Sequence, residues 1–223
     1  MRSSRLRRLI LAAAVLALPA AARAQVRGGP LFFESTYGYA SRLGVEVGHG
    51  GELDGVSFLA VGAHHFGVGS RRRLALSAAA GVWDPAGHSA RFTGAVGAQF
   101  RVDGLRRRVG RVSRLTVRAV TGVGVVSDAG RARWSVPIGI GAGYRLAYPV
   151  VHIEPWLVPH LVWMQRSSAG STDAALPSGG DAWKAAISAG VTVGAGKILG
   201  LRIGAECCIG GGVAAAYSLS AWF

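Results

Sequence analysis

The last twelve residues of the chain decide its fold. Residues 212 to 223 read Gly-Val-Ala-Ala-Ala-Tyr-Ser-Leu-Ser-Ala-Trp-Phe. Successive side chains of a strand point to opposite faces. Tyr217, Leu219 and Phe223 therefore share an apolar face with Val213 and two small alanines, while the opposite face carries alanines, two serines and a tryptophan. The stretch predicts a strand with one apolar side and one side of mostly small or polar residues.

A terminal phenylalanine preceded by apolar residues at alternate positions resembles the closing strand of bacterial outer-membrane β-barrel proteins. The resemblance rests on Tyr217, Leu219 and Phe223, with Ala221 as a weaker match. It implies that the barrel-assembly machinery reads these residues as an assembly signal. For the tail taken alone, an ordinary edge strand is the alternative.

The first 24 residues have the organisation of a secretory signal peptide. Arginines at positions 2, 5, 7 and 8 precede an apolar run from Leu9 to Leu18, and Ala22-Arg23-Ala24 supplies the small residues of a cleavage site. The apolar run is about ten residues long, too short to cross a bilayer as a helix, which disfavours an uncleaved anchor. We therefore expect cleavage after Ala24, and residues 25–41 form a lead-in that can include the start of the first strand.

The composition fits one exported domain. Cleavage removes 24 of the 223 residues and five arginines, which lowers the formal charge from +14 to +9. No later segment approaches the ~20 apolar residues of a membrane-spanning helix. No stripe of basic residues with interleaved aromatics indicates nucleic-acid binding, so outer-membrane lipids are the expected partner of this basic chain.

Apolar residues recur at every second position through residues 42–223. In residues 133–145, Trp134 and Tyr144 bracket the apolar run, as an aromatic girdle at two membrane interfaces requires. The pattern predicts an all-β fold, an antiparallel up-and-down transmembrane β-barrel of about ten strands, with eight as the alternative. The predicted strands are 42–48, 56–66, 73–82, 91–102, 114–125, 133–145, 151–163, 183–195, 199–209 and 212–223.

Three places in this pattern are irregular. The faces of 56–66 are ambiguous because nearly every residue there is apolar. Residues Trp83 to Gly87 are expected to form a loop. Pro155 and Pro159 each remove a ladder hydrogen bond from 151–163, which predicts bulges or a weaker strand.

Charged residues fall on the face opposite the apolar one, and a charge facing hydrocarbon would cost roughly 2–4 kcal/mol at the membrane midplane. Because side chains fill the interior of small barrels, we expect a mostly plugged, ion-paired lumen with surplus positive charge. Glu154 is expected to pair with Arg118 or Arg145. The predicted lumen charge network is Arg42, Glu46, Arg118, Arg145, Glu154, Arg202 and Glu206, and further inward cations are Arg91, Arg101, Arg114, Arg133 and Lys184.

Metal, redox and cofactor chemistry have weak support. His152 and Glu154 are two residues apart and can reach one metal ion. His160 lies eight residues from His152, roughly 26 Å along a strand, and cannot join them. An ion pair between Glu154 and an arginine is the favoured interpretation, and no cofactor is expected. Cys207 and Cys208 point to opposite faces of a strand, so a disulfide between them is not expected.

Enzymatic activity is the alternative function. A lipid-modifying site at the barrel rim needs a serine, a histidine and an acid that converge. His88-Ser89 offers the first two in an outer loop, without a placed acid. The leading hypothesis is therefore a monomeric, non-catalytic outer-membrane barrel with a structural or surface-interaction role, or a narrow passive pore. A soluble periplasmic β-sandwich is the third hypothesis.

Overall fold

Strands account for nearly all of the chain that the computed structural model describes. The described residues are 41–50, 55–67, 74–84, 89–102, 108–109, 113–128, 131–165, 182–195, 199–208 and 213–223. Within these ranges, no helix is long and apolar enough to cross a membrane.

Eleven strand segments build one antiparallel sheet. Ten of them are long, whereas β5 has only two residues. It pairs with the start of β6, and β4 pairs with a later part of the same edge of β6. The segments are β1 (Ser41–Gly50), β2 (Gly55–Phe66), β3 (Leu74–Asp84), β4 (Arg91–Arg101), β5 (Arg108–Val109), β6 (Ser113–Asp128), β7 (Arg131–Ala147), β8 (Val151–Met164), β9 (Ala182–Ala195), β10 (Leu199–Cys208) and β11 (Val213–Trp222).

The sheet closes on itself, because β11 pairs with β1. Ser41 and Phe223 exchange two backbone hydrogen bonds at this seam, with N···O distances of 2.9 and 3.0 Å. All other long strands pair with their neighbours in the sequence. The prediction of a ten-stranded up-and-down barrel is confirmed, in place of the eight-stranded alternative and the β-sandwich.

The two faces of the wall differ as the alternation predicts. Outward side chains are apolar and exposed, including Leu43, Val96 and Ile140, whose exposed fractions are 62%, 61% and 58%. Inward side chains are buried and largely polar. Along β8, for example, His152, Glu154 and His160 are all buried. The pleat of each strand thus separates a polar interior from an apolar exterior.

The structure resolves the ambiguous strand and corrects the loop at Trp83. Phe58 on β2 pairs with Val47 on β1, and both side chains are exposed outside. Leu59 and Val61 are buried inside. Trp83 is not in a loop: it continues β3, pairs with Ser57 and is buried. The strand extends this far because Trp83 supplies apolar surface to the barrel interior.

The expected bulges in β8 are absent. Pairing between β8 and β9 runs without interruption through Pro155↔Val191 and Pro159↔Ile187. Toward β7, the ladder lacks the pairs at the two prolines but keeps one register, from Leu146↔Ile153 to Ser135↔Met164. The proline nitrogens therefore face β7, where each omits a hydrogen bond without shifting the strands.

Several predictions lie outside the described residues. These are the signal peptide at residues 1–24, the lead-in as far as residue 40, and His88 in the predicted outer loop.

Candidate functional site: the barrel interior

The structure places the predicted charge network inside the barrel. Arg118 and Glu206 have no exposed surface, and Arg145 is half-buried. Arg42, Glu46, Glu154 and Arg202 are buried. These residues come from β1, β6, β7, β8 and β10, so the network is distributed around the wall.

Cross-strand pairing arranges part of the network in a row. Glu46 is the partner of Ser218, Ser218 of Arg202, Arg202 of Thr192, and Thr192 of Glu154. Five strands thus present acid, hydroxyl, cation, hydroxyl and acid side by side. Arg202 Nη2 donates to Ser218 Oγ at 3.3 Å within this row. The sequence alone does not predict this row of polar side chains, because its members lie far apart in the chain.

A second polar cluster joins β8, β9 and β10. Ser188 and Glu206 are cross-strand partners, and Ser188 Oγ donates to Glu206 Oε2 at 2.5 Å. The same carboxylate oxygen lies 3.3 Å from His160 Nε2. That distance makes an ion pair when the imidazole is protonated. A carboxylate between a serine and a histidine is not the order of a nucleophilic triad, where the histidine contacts the serine.

Backbone contacts fix the His160 ring. Its Nδ1 donates to the carbonyl oxygen of Val158 at 2.9 Å. Its cross-strand partner on β7 is Gly139, where an added Cβ would lie only 2.4 Å from the Cβ of His160. The glycine therefore provides the space that the histidine occupies beside Glu206.

Apolar side chains occupy the interior beside the charged groups. Trp156, Val158, Val120 and Ala216 form one buried cluster. Val120 on β6 and Ala216 on β11 lie on opposite sides of the ten-strand wall, five strands apart. An added Cβ at Gly190 would lie 2.4 Å from Trp156 Cζ2, so the indole ring packs directly over that glycine.

Aromatic residues gather at one end of the outer surface. Trp163 and Trp183 are direct cross-strand partners, and the carbonyl of Trp134 accepts a hydrogen bond from the backbone N–H of Gln165 beside them. Tyr144 lies ten residues from Trp134 on β7. At ~3.3 Å per residue and a strand tilt of about 40°, that separation is roughly 25 Å along the barrel axis, the height of a membrane-facing band.

The histidines considered as ligands are dispersed. Among the described residues, no group of three or more histidine, cysteine, aspartate or glutamate side chains is placed to hold a metal ion. His64 is exposed on the outer face, where its Nδ1 lies 2.8 Å from Ser41 Oγ and its ring meets Phe66 edge-on. The His64 side chain is therefore held by contacts with other protein groups. Cys207 is exposed on the outer face.

Comparison with known proteins adds no family: no protein-family model and no curated protein matches the chain. The architecture is compatible with an outer-membrane β-barrel protein.

Proposed function

We propose that this protein is an outer-membrane β-barrel with a lumen closed mainly by its own side chains, acting in membrane structure or surface interaction or as a narrow passive pore. The observation that carries the proposal is the separation of the two faces. Exposed apolar residues cover the outside of every long strand, while buried charges and hydroxyls line the inside. A soluble protein places its apolar residues the other way round.

Closure of the sheet supports a membrane location. In hydrocarbon, a spanning structure must satisfy its backbone hydrogen bonds internally, and a closed barrel does so without leaving a strand edge. The β1–β11 seam provides that closure. Lipids are then the partner of the apolar wall, and the barrel-assembly machinery is the partner during insertion. Tyr217 and Leu219 on the outer face of β11, together with Phe223 directly after it, form the signal.

The closed lumen is supported by what the interior contains. The Trp156 cluster connects opposite walls, and Arg118, Ser188 and Glu206 are inaccessible to water. Long arginine side chains and an indole ring occupy the space that a wide pore would leave to solvent. A rim enzyme is disfavoured at Ser188, because its hydroxyl is fully buried and donates to a carboxylate.

Cell fractionation with a gel-mobility assay tests the proposal. The mature chain should begin at Gln25, sediment with the outer membrane and resist extraction by carbonate. In cold detergent it should migrate differently from the boiled sample, because the closed sheet resists unfolding. Recovery of the unboiled and boiled forms at one mobility, or in the soluble periplasm, would reject a membrane barrel.

A further inference from the structure

Some inward residues on β3, β4 and β6 are covered less completely than equivalent residues across the barrel. Ala79 and Ala95 are direct cross-strand partners that point inward, and both are half-buried. Ala186, Ala214 and Ala216 also point inward, yet their exposed fractions are 2%, 4% and 0%. Because the five side chains have the same size, the difference indicates unfilled space beside Ala79 and Ala95.

The unfilled space, or chamber, continues onto neighbouring small residues. Gly97 is the cross-strand partner of Ser77 on one side and of Gly122 on the other, and all three are half-buried. They lie on the inner faces of the same strands as Ala79 and Ala95. Side chains normally fill the interior of a small barrel, and residues this small leave part of it open. The chamber therefore runs along the middle of β3, β4 and β6.

Buried residues close the chamber at both ends. β3 and β6 run in the direction of β1, and β4 runs the opposite way, which assigns each position to one end of the barrel. Toward the end that holds Ser41 and Phe223, the buried inward residues on these strands are Ala75, Gln99 and Val120. Toward the opposite end, they are Trp83, Thr93 and Val126. The chamber is thus separated from both mouths of the barrel.

Trp83 has the largest side chain of the three residues that close the end opposite Ser41. Thr93 is held to the wall, because its hydroxyl donates to the carbonyl oxygen of Val125 at 3.2 Å. Val126 has only a short, branched side chain. The indole of Trp83 is a large, rigid apolar group, and its cross-strand partner on β2 is the small Ser57. Closure at this end therefore depends most on the indole.

We propose that Trp83 is a gate whose indole ring separates the chamber from solvent at the end opposite Ser41 and Phe223. The inference rests on the proposed role as a narrow passive pore, and it names the side chain that keeps the lumen shut at that end. An apolar constriction excludes water and therefore small ions. The indole supplies this constriction between the small residues of the chamber and the aqueous phase.

Thiol accessibility in the purified full-length barrel tests the gate. Ala95→Cys places a reporter thiol in the chamber, in a protein that also carries Cys207→Ser and Cys208→Ser. The probe is a small, charged methanethiosulfonate reagent, added to the folded protein in detergent. With Trp83 present, labelling should be slow compared with the unfolded chain. Trp83→Ala should accelerate labelling several-fold, because water and the reagent then enter the chamber.

Two further variants decide the outcome, with gel mobility as the check that each is folded. Trp183→Ala removes an indole that is 58% exposed on the outer face at the same end of the barrel, and should leave the labelling rate unchanged. Trp83→Leu keeps apolar surface on a shorter side chain, and should accelerate labelling to a smaller extent even if Trp83→Ala does not fold. Equal rates with and without the Trp83 indole would overturn the proposal. The same acceleration in Trp183→Ala would also overturn it, because it would show general loosening. Since the assay is done in detergent, its result is independent of the membrane location that cell fractionation tests.

Discussion

Glu206 is the residue at which three strands meet in one buried contact. Its carboxylate accepts from Ser188 and faces His160, so a change here leaves two buried partners without their acceptor. An unsatisfied buried polar group costs more than the hydrogen bond itself contributes.

We expect Glu206→Met, which removes the acceptor and keeps a side chain of similar length, to lower the free energy of unfolding by about 1–3 kcal/mol. Urea titration followed by tryptophan fluorescence in lipid vesicles measures this loss. Ser188→Ala should show a coupling energy with Glu206→Met of roughly 0.5–3 kcal/mol in a double-mutant cycle. Ser220→Ala is the matched control, because its hydroxyl makes a long 3.4 Å bond to Gly200. Additive effects of the first two changes would contradict a direct contact.

For single residues, the sequence predicts the direction of a side chain but not its contacts. That Glu154 and Glu206 point inward follows from alternation along one strand, which is a local property. That Glu206 meets His160 depends on the register of three strands, and the segment between β8 and β9 is long. A one-residue change in register would exchange the faces that neighbouring strands present to each other. Alternation therefore indicated the composition of the interior but not its contacts.

The strands themselves were the most predictable elements. Nine of the ten predicted strands begin and end within two residues of the observed bounds, whereas β6 extends three residues further at its C-terminal end. β3 was underestimated at Trp83, because an Asp-Pro-Ala-Gly sequence follows and indicates a turn. The sequence overestimates the effect of Pro155 and Pro159 on β8, because it does not show toward which neighbouring strand a proline nitrogen points.

The outer face of the closing strand, β11, should tolerate apolar residues but not a charge. Leu219 is exposed on the outer face near the middle of β11. Leu219→Lys should block assembly, because a lysine facing the membrane midplane costs roughly 2–4 kcal/mol. Loss of the heat-modifiable gel form measures it. Leu219→Met keeps the apolar surface and should assemble normally. Normal assembly of the lysine variant would show that this face of β11 does not contact lipid.

The whole barrel determines what can cross it. The described residues of the interior include several arginines, three glutamates and the Trp156 cluster, so the barrel should conduct little steady current in a planar bilayer. The surplus of cations should make any residual leak anion-selective.

Glu154→Ala is expected to raise both the leak and the anion preference, because it removes an acid from a row of inward polar groups. The reversal potential in a salt gradient reports the selectivity, and Lys184→Ala is the control for a change of charge elsewhere on the inner wall. A large, stable, cation-selective conductance from the unaltered protein would contradict a closed lumen and favour a porin.

The seam between β1 and β11 also sets the order of events during folding. Ser41 and Phe223 are neighbours in space, yet nearly the whole barrel sequence separates them. Contacts between such distant residues form slowly, because a long loop must close first. Until the final strand arrives, the growing sheet exposes two unpaired edges that invite aggregation. A chain whose folding stops before residue 213 can therefore form nine long strands and still lack a stable intermediate, because the sheet remains open. We expect the need for a chaperone to be greatest in the interval before β11 pairs with β1.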